Sequence, residues 1–349
     1  MASLARNARL ALIQRCFAVV AVAGAWLALT SPSAAQNRRP TDAETTKTRQ
    51  PDKGEKDRDE KAAGKVDLRP KFTKGNKLIY KMDIDSKSKT KMPALDDADT
   101  VQNTKQELGL VFLVKDVTDD GTIVELTFNT MKMTQETGTG KDKDKVEFDS
   151  NRPKATDKDN PLAPGCRELV GSTFTITIDK DGQVTNVAGG GGLTSLGAIG
   201  MPGGIGNIGG QSTGLGGSSQ GFADAIGSIF SIKKGSLLVN VGERWSTSDE
   251  IDSGLLGQFR MITDSTLKSH SGNIARVKIN GRIEPATGRG GNASMFKLKD
   301  SLYLGEYLWD TKAGALKSLE VDQNVSIDGD SSGGINMTAS SKMKVSRVR

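Results

Sequence analysis

Thr173-Phe174-Thr175-Ile176-Thr177-Ile178-Asp179-Lys180-Asp181-Gly182-Gln183-Val184 is the stretch that decides the fold. Apolar residues fall at every second position from Phe174 to Ile178, so one face of the segment is greasy and the other carries hydroxyls. That is the period of a strand with one face buried. The run stops at an Asp-Gly pair, which supplies the positive backbone φ of a tight hairpin turn, and residues 184–187 resume beyond it.

The same pattern recurs along the chain. Val124, Leu126 and Phe128 alternate with polar residues, as do Ala275, Val277, Ile279 and Ile283 with Gly281 interrupting. Ile335, Met337, Ala339, Met343 and Val345 share one further parity. Asp119-Asp120-Gly121 separates residues 110–117 from residues 123–133 as a second hairpin turn. The expected fold is mainly β and antiparallel: two similar curved sheets or half-barrels with one short amphipathic helix.

The two halves correspond. Residues 75–80, the hairpin at Gly121 and the hairpin at residues 174–187 have counterparts in residues 242–245, the Ser271-Gly272 turn and the hairpin around Gly314. The first β-rich half is assigned to residues 66–188 and the second, preceded by a short helix, to residues 222–349. Between them, residues 189–221 hold 15 of the chain's 41 glycines and read as a flexible connector, because glycine loses the most backbone freedom on ordering and adds no packing. Phe222, Ile226, Ile229 and Phe230 then fall at i, i+4, i+7 and i+8, the apolar stripe of a helix expected to dock on a sheet as a plug or cover.

Residues 1–35 read as an export signal. Arg6, Arg9 and Arg15 precede an apolar run at residues 17–29, and Ser33-Ala34-Ala35 offers the small residues a signal peptidase recognises. At 13 residues that run is short for a bilayer core of about 30 Å, and no later segment approaches the ~20 apolar residues of a membrane-spanning helix. Cleavage after Ala35 places the mature chain in the periplasm or outside the cell, with no transmembrane segment. Residues 36–65 interleave Lys and Arg with Asp and Glu without an apolar period, and read as a disordered charged tether.

Composition excludes several function classes. Removing the three signal arginines from the formal +6 leaves +3 over more than 300 residues, and aromatics are 5% of the chain, so nucleic acid is not an expected partner. Once the leader and its Cys16 are gone, Cys166 is the one remaining cysteine and has no intramolecular disulfide partner. One histidine, His270, and one mature cysteine rule out the common zinc sets, and the calcium-loop spacing at Asp116, Asp120 and Gly121 has Thr127 where a bidentate glutamate is needed. Asp179 and Asp181 are read as turn formers.

Two short motifs match by letter and fail on context. Residues 204–209 read Gly-Ile-Gly-Asn-Ile-Gly, but lack the preceding strand and following helix that seat a pyrophosphate. Residues 217–221 read Gly-Ser-Ser-Gln-Gly, a nucleophile-elbow spelling, yet Ser219 has only His270 to call on, and that histidine is expected at a hairpin tip. Trp245 and Trp309 sit at strand positions and are assigned to the core rather than to sugar platforms. No catalytic, cofactor-binding or metal-binding residue is assigned, and no cofactor is expected.

Phe72, Gly75 and Tyr80, Phe148-Asp149-Ser150, Gly171, Phe174, Asp179, Gly182 and Val184, Val241-Gly242-Glu243-Arg244-Trp245, and Asp310 with Gly314 give the chain a further likeness. Together they resemble a family of exported bacterial proteins sharing a domain without assigned function. That resemblance implies a mainly β exported domain and carries over no functional residue. The function expected is a non-enzymatic binding or envelope-structural module, with an apolar cavity for a lipid or other amphiphile, or an envelope component as partner. An envelope hydrolase with an unrecognised site is the alternative.

Overall fold

A computed structural model describes residues 64–91, 99–139, 142–180, 182–189, 226, 229–230, 237–252, 258–285, 296–329 and 336–348. The leader, the charged segment before residue 64, both short motifs with Ser219, and Asp181 lie outside them.

Fourteen strands run in chain order among these residues: β1 (Val66–Asp67), β2 (Lys77–Lys91), β3 (Asp99–Thr118), β4 (Gly121–Thr139), β5 (Asp142–Asp149), β6 (Thr173–Ile178), β7 (Val184–Gly189), β8 (Leu238–Val239), β9 (Arg244–Asp252), β10 (Gln258–Ser271), β11 (Ile274–Pro285), β12 (Phe296–Asp310), β13 (Ala315–Gly329) and β14 (Asn336–Arg347). Twelve form one antiparallel sheet in the order β7-β6-β4-β3-β2-β14-β13-β12-β11-β10-β9, with β5 on β4. Every expected hairpin turn is present.

The two halves are joined edge to edge. The C-terminal strand β14 pairs with β13 on one side and β2 on the other, so the two ends of the domain meet in the middle of the sheet. Within each half the entry to the first strand is built alike. The Gly75 amide bonds the Val114 carbonyl at 2.8 Å while the Val114 amide returns to Asn76; the Gly242 amide bonds Leu267 at 2.7 Å while the Leu267 amide returns to Glu243. A bulge follows in both partner strands, at Val114/Asp116 and at Leu267/Ser269. The same hydrogen-bond pair and bulge thus recur at the places in the two halves that the sequence sets side by side.

In strand after strand one face is buried and the other exposed, as in a large twisted sheet curled around its own interior. Among the described residues β5, β7 and β9 remain as free edges, and the sheet is not closed into a barrel. A small second layer covers one end: β1 pairs β8, and Val66, Leu68, Leu237 and Val239 are all buried. Ile226, Ile229 and Phe230 are helical and buried there, with Phe230 edge-on to Phe72 and Phe112. These residues dock on the sheet as the sequence predicts; Phe222 is outside the described set.

One helix has no counterpart in the sequence reading. α1 (Ala163–Leu169) buries Ala163, Cys166 and Leu169 and fills the step where β4 changes partner, from β6 along residues 122–127 to β5 along residues 132–139. The backbone exposed by that step is satisfied locally: the Gly171 amide bonds the Phe128 carbonyl, and the Met131 amide bonds the Ser150 hydroxyl. At the same step β4 shifts parity through a bulge opposite Gly109, where an added Cβ would collide with Thr130 Oγ1.

Candidate functional site

Inward residues line up in rows across the sheet, because antiparallel register places them opposite one another. Midway along β3 and β4 a row begins that runs Met131, Leu108, Met82, Val345, Leu319, Tyr307, Val277 and Leu267, from β4 to β10. All of these are buried. Two rows further along the strands the composition inverts: Gln135, Thr104, Ser86, Ser341 and Gln323 face inward in β4, β3, β2, β14 and β13, and Thr263 continues the row in β10. The flanking rows add Gln106 on one side and Gln102 with Ser88 on the other.

Apart from the half-buried Gln135, these polar side chains are as buried as the apolar ones; Gln106 and Gln323 are each 2% exposed and Gln102 4%. Thr90 Oγ1, Gln102 Oε1, Thr104 Oγ1, Gln106 Oε1, Thr263 Oγ1, Ser341 Oγ and both amide atoms of Gln323 have no hydrogen-bond partner within the chain. Burying such a group unpaired costs about 1–3 kcal/mol, so a cluster of them in one band is a standing demand for polar atoms from outside the chain. Ser86 bonds the Thr104 carbonyl at 3.4 Å. Among the described residues the buried polar set is Ser, Thr and Gln alone, without an ionised side chain.

Tyr303 of β12 stands in the polar row opposite Gln323, and Tyr307 two rows away in the apolar row. Burial raises the phenols of Tyr303 and Tyr307 well above the usual range, so both stay protonated. Tyr80, also raised by burial, donates to the Leu316 carbonyl at 3.0 Å.

The outward face is the reverse. Lys81 meets Asp83 and Glu107, Lys89 meets Asp99, Arg276 meets Glu306 and Lys342 meets Glu320, mostly across neighbouring strands. Apolar inside and charged outside is opposite to the lipid-facing band of an outer-membrane barrel. A depression of about 380 Å³ lies on this outer face behind the polar band, its lining including Lys87, Lys89, Asn324 and Ser340. The Lys89 ammonium there is held by Asp99 at 2.7 Å.

The residues weighed individually fall apart in space. His270 ends β10, exposed, with its Nε2 3.3 Å from the Thr311 hydroxyl. Asp116 is paired with Lys74 at 3.0 Å, whose hydrogen bond lowers the carboxyl, and Thr127 meets Thr173 on the next strand. The Asp179 carboxylate accepts from the Gln183 amide at 2.8 Å, a turn role. Trp309 is fully buried and Trp245 half-buried. Cys166 is fully buried in α1, and burial pushes its thiol up to about 12. Among the described residues no three His, Cys, Asp or Glu side chains gather as a metal site, and no helix is long and apolar enough to cross a membrane. The inward glutamines were missed by sequence reading, although Ser341 sits on the apolar parity of β14 and breaks it.

Residues 119–199 match a family of unknown function, DUF6263. The stretch covers β4 to β7 and includes Phe148, Gly171, Phe174 and Gly182, residues on which the resemblance rested. No curated protein sequence matches the chain. Among solved structures, lipovitellin, described for its lipid–protein interactions, aligns at 12% identity and a TM-score of 0.46 over 80% of this chain, which spans 26% of the lipovitellin chain. DynF from the dynemicin biosynthesis pathway of Micromonospora chersina aligns at 8% identity and a TM-score of 0.17, covering 82% of this chain and 86% of its own. OccK7 (OpdD) of Pseudomonas aeruginosa aligns at 6% and 0.24, covering 78% and 99%. At these scores none of the three establishes a common fold with this chain.

Proposed function

We propose that this is an exported, non-enzymatic binding protein whose curled sheet takes an amphiphilic ligand against its inner face. The observation that carries the reading is the band of buried, unpartnered Gln, Thr and Ser side chains lying next to rows of Met, Leu and Val. A ligand with an aliphatic part and a polar part would satisfy both. The aliphatic part adds to the apolar rows at about 25 cal/mol per Å² of surface removed from water, and the polar part pairs atoms that otherwise stay unsatisfied. The leader at residues 1–35 supports export, and the charged segment at residues 36–65 supports a tether between the domain and an envelope surface.

The test is production with the native leader, followed by detergent-free purification, native mass spectrometry and organic extraction. Mature chain beginning at Gln36 with a near-stoichiometric amphiphile is the expected result. Lipid-free protein that binds nothing in a lipid panel would overturn the binding reading, and an uncleaved precursor in the cytosol would overturn export. Turnover of ester, peptide or glycan substrates by the purified protein would replace it with the hydrolase reading.

A further inference from the structure

We infer that the polar end of the ligand is uncharged and rich in hydroxyl donors: a glyceride-type head group rather than a carboxylate or phosphate. This rests on the binding reading above and specifies its chemistry. Three of the four unpartnered glutamine amide atoms are carbonyl oxygens, on Gln102, Gln106 and Gln323, which can only accept; the fourth, Gln323 Nε2, is a single donor that an ester or hydroxyl oxygen meets. Each carbonyl oxygen therefore needs a donor, and an ionised carboxylate has none to give. The hydroxyls of Thr104 and Ser341 rotate to serve as donor or acceptor, so they match a hydroxyl or an ester oxygen equally.

Charge argues the same way. No Lys, Arg or His is among the buried polar side chains of the described residues, and the lysines of β2 alternate with the inward positions, Lys81, Lys87 and Lys89 being exposed. An anion drawn into this band would lose its hydration without gaining a countercharge, whereas a neutral polyol loses far less. Sites for anionic head groups place a guanidinium or ammonium at the polar end; here the band holds amides and hydroxyls. The adjoining rows, with Ile84, Met343 and Val321 beside Gln106, leave an aliphatic chain as the matching apolar part.

The experiment compares two ligands with the same acyl chain on the mature, delipidated protein at pH 8: 1-monooleoylglycerol and oleate, by calorimetry. Monooleoylglycerol is expected to bind at least about tenfold more tightly. Gln323→Leu, and separately Ser341→Ala, should each weaken monooleoylglycerol by about tenfold while leaving oleate unchanged. Oleate binding as tightly as monooleoylglycerol overturns the head-group assignment and leaves the binding reading standing. Variants that bind both ligands like the wild type also overturn it, since the band would then be idle. Failure of both ligands, with nothing retained from the envelope, overturns the two together.

Discussion

Gln323 of β13 and Ser341 of β14 lie directly opposite one another with their side chains inward, and none of their three polar side-chain atoms has a partner in the chain. One row further along, the corresponding pair is Val321 and Met343, both buried and apolar. Two adjacent rows of one strand pair thus have opposite needs. Gln323→Leu removes an unpaired amide and fills its place with a side chain of similar size, so the ligand-free protein should unfold at equal or higher urea, with a gain of about 1 kcal/mol. Met343→Ala removes packing and should cost about 2–5 kcal/mol. A large loss for Gln323→Leu in the ligand-free state would mean that its amide is satisfied by the fold itself.

What could be read in advance, and what could not, follows from the same contrast. Residues 174–178, 275–283 and 336–345 show themselves as strands because their inward positions, Ser341 and Gly281 apart, are apolar. Residues 84–91 and 99–107 are equally strand, but Ser86, Ser88, Thr90, Gln102, Thr104 and Gln106 occupy their inward positions, so hydropathy has no period there. The site was hidden by the property that makes it a site. The pairing of β14 with β2 joins residues about 250 apart in sequence, and no local pattern encodes a partner at that distance. α1 has seven residues and no side-chain cap, and its only signals are Pro near its start and the spacing of Ala163, Cys166 and Leu169.

Arg167 is the hub of the step in β4. Its Nε bonds Asp157 at 2.7 Å, its two terminal nitrogens reach the Ser150 and Arg152 carbonyls at 2.8 and 2.6 Å, and its guanidinium lies 5.0 Å from the Phe148 ring centre. Lysine keeps the charge but loses the planar fork that reaches three partners at once. Arg167→Lys is expected to cost about 2 kcal/mol in urea unfolding, and hydrogen exchange should show early opening confined to residues 148–172. A stability change within about 0.5 kcal/mol would reduce the arrangement to a surface ion pair.

Cys166 should behave as an inert core atom. Its thiol is fully enclosed, and burial pushes it up to about 12, with Asp157 adding to the rise and the neighbouring Arg167 opposing it. The thiolate, which is the reactive form, is therefore scarce at pH 8. Ellman's reagent is expected to leave folded protein unmodified, with labelling that tracks unfolding as urea is added. Stoichiometric labelling of the folded chain within minutes would show an exposed, activated thiol and reopen nucleophilic chemistry at α1.

The turn between β12 and β13 begins with a carboxylate whose ionisation the fold depends on. Burial alone would raise Asp310, but the Ala313 and Lys312 amides and the Arg347 guanidinium, 2.5 Å away, outweigh it and hold the carboxyl below its ordinary value. A carboxyl depressed by folding contributes stability that is fully present above its unfolded value, near pH 4, and is lost as pH falls through the lower folded value. Asp310→Asn keeps the shape and removes the charge. It should cost about 1–3 kcal/mol at pH 7, and the gap to wild type should narrow as pH drops below about 4, because the wild-type carboxyl then becomes neutral too. Arg347 is the last residue of β14 and pairs with Tyr80 of β2, so loss of its partner loosens the seam that holds the two halves together. A gap between Asp310→Asn and wild type that stays constant from pH 7 to pH 3 would mean that shape, not charge, secures that end of the sheet.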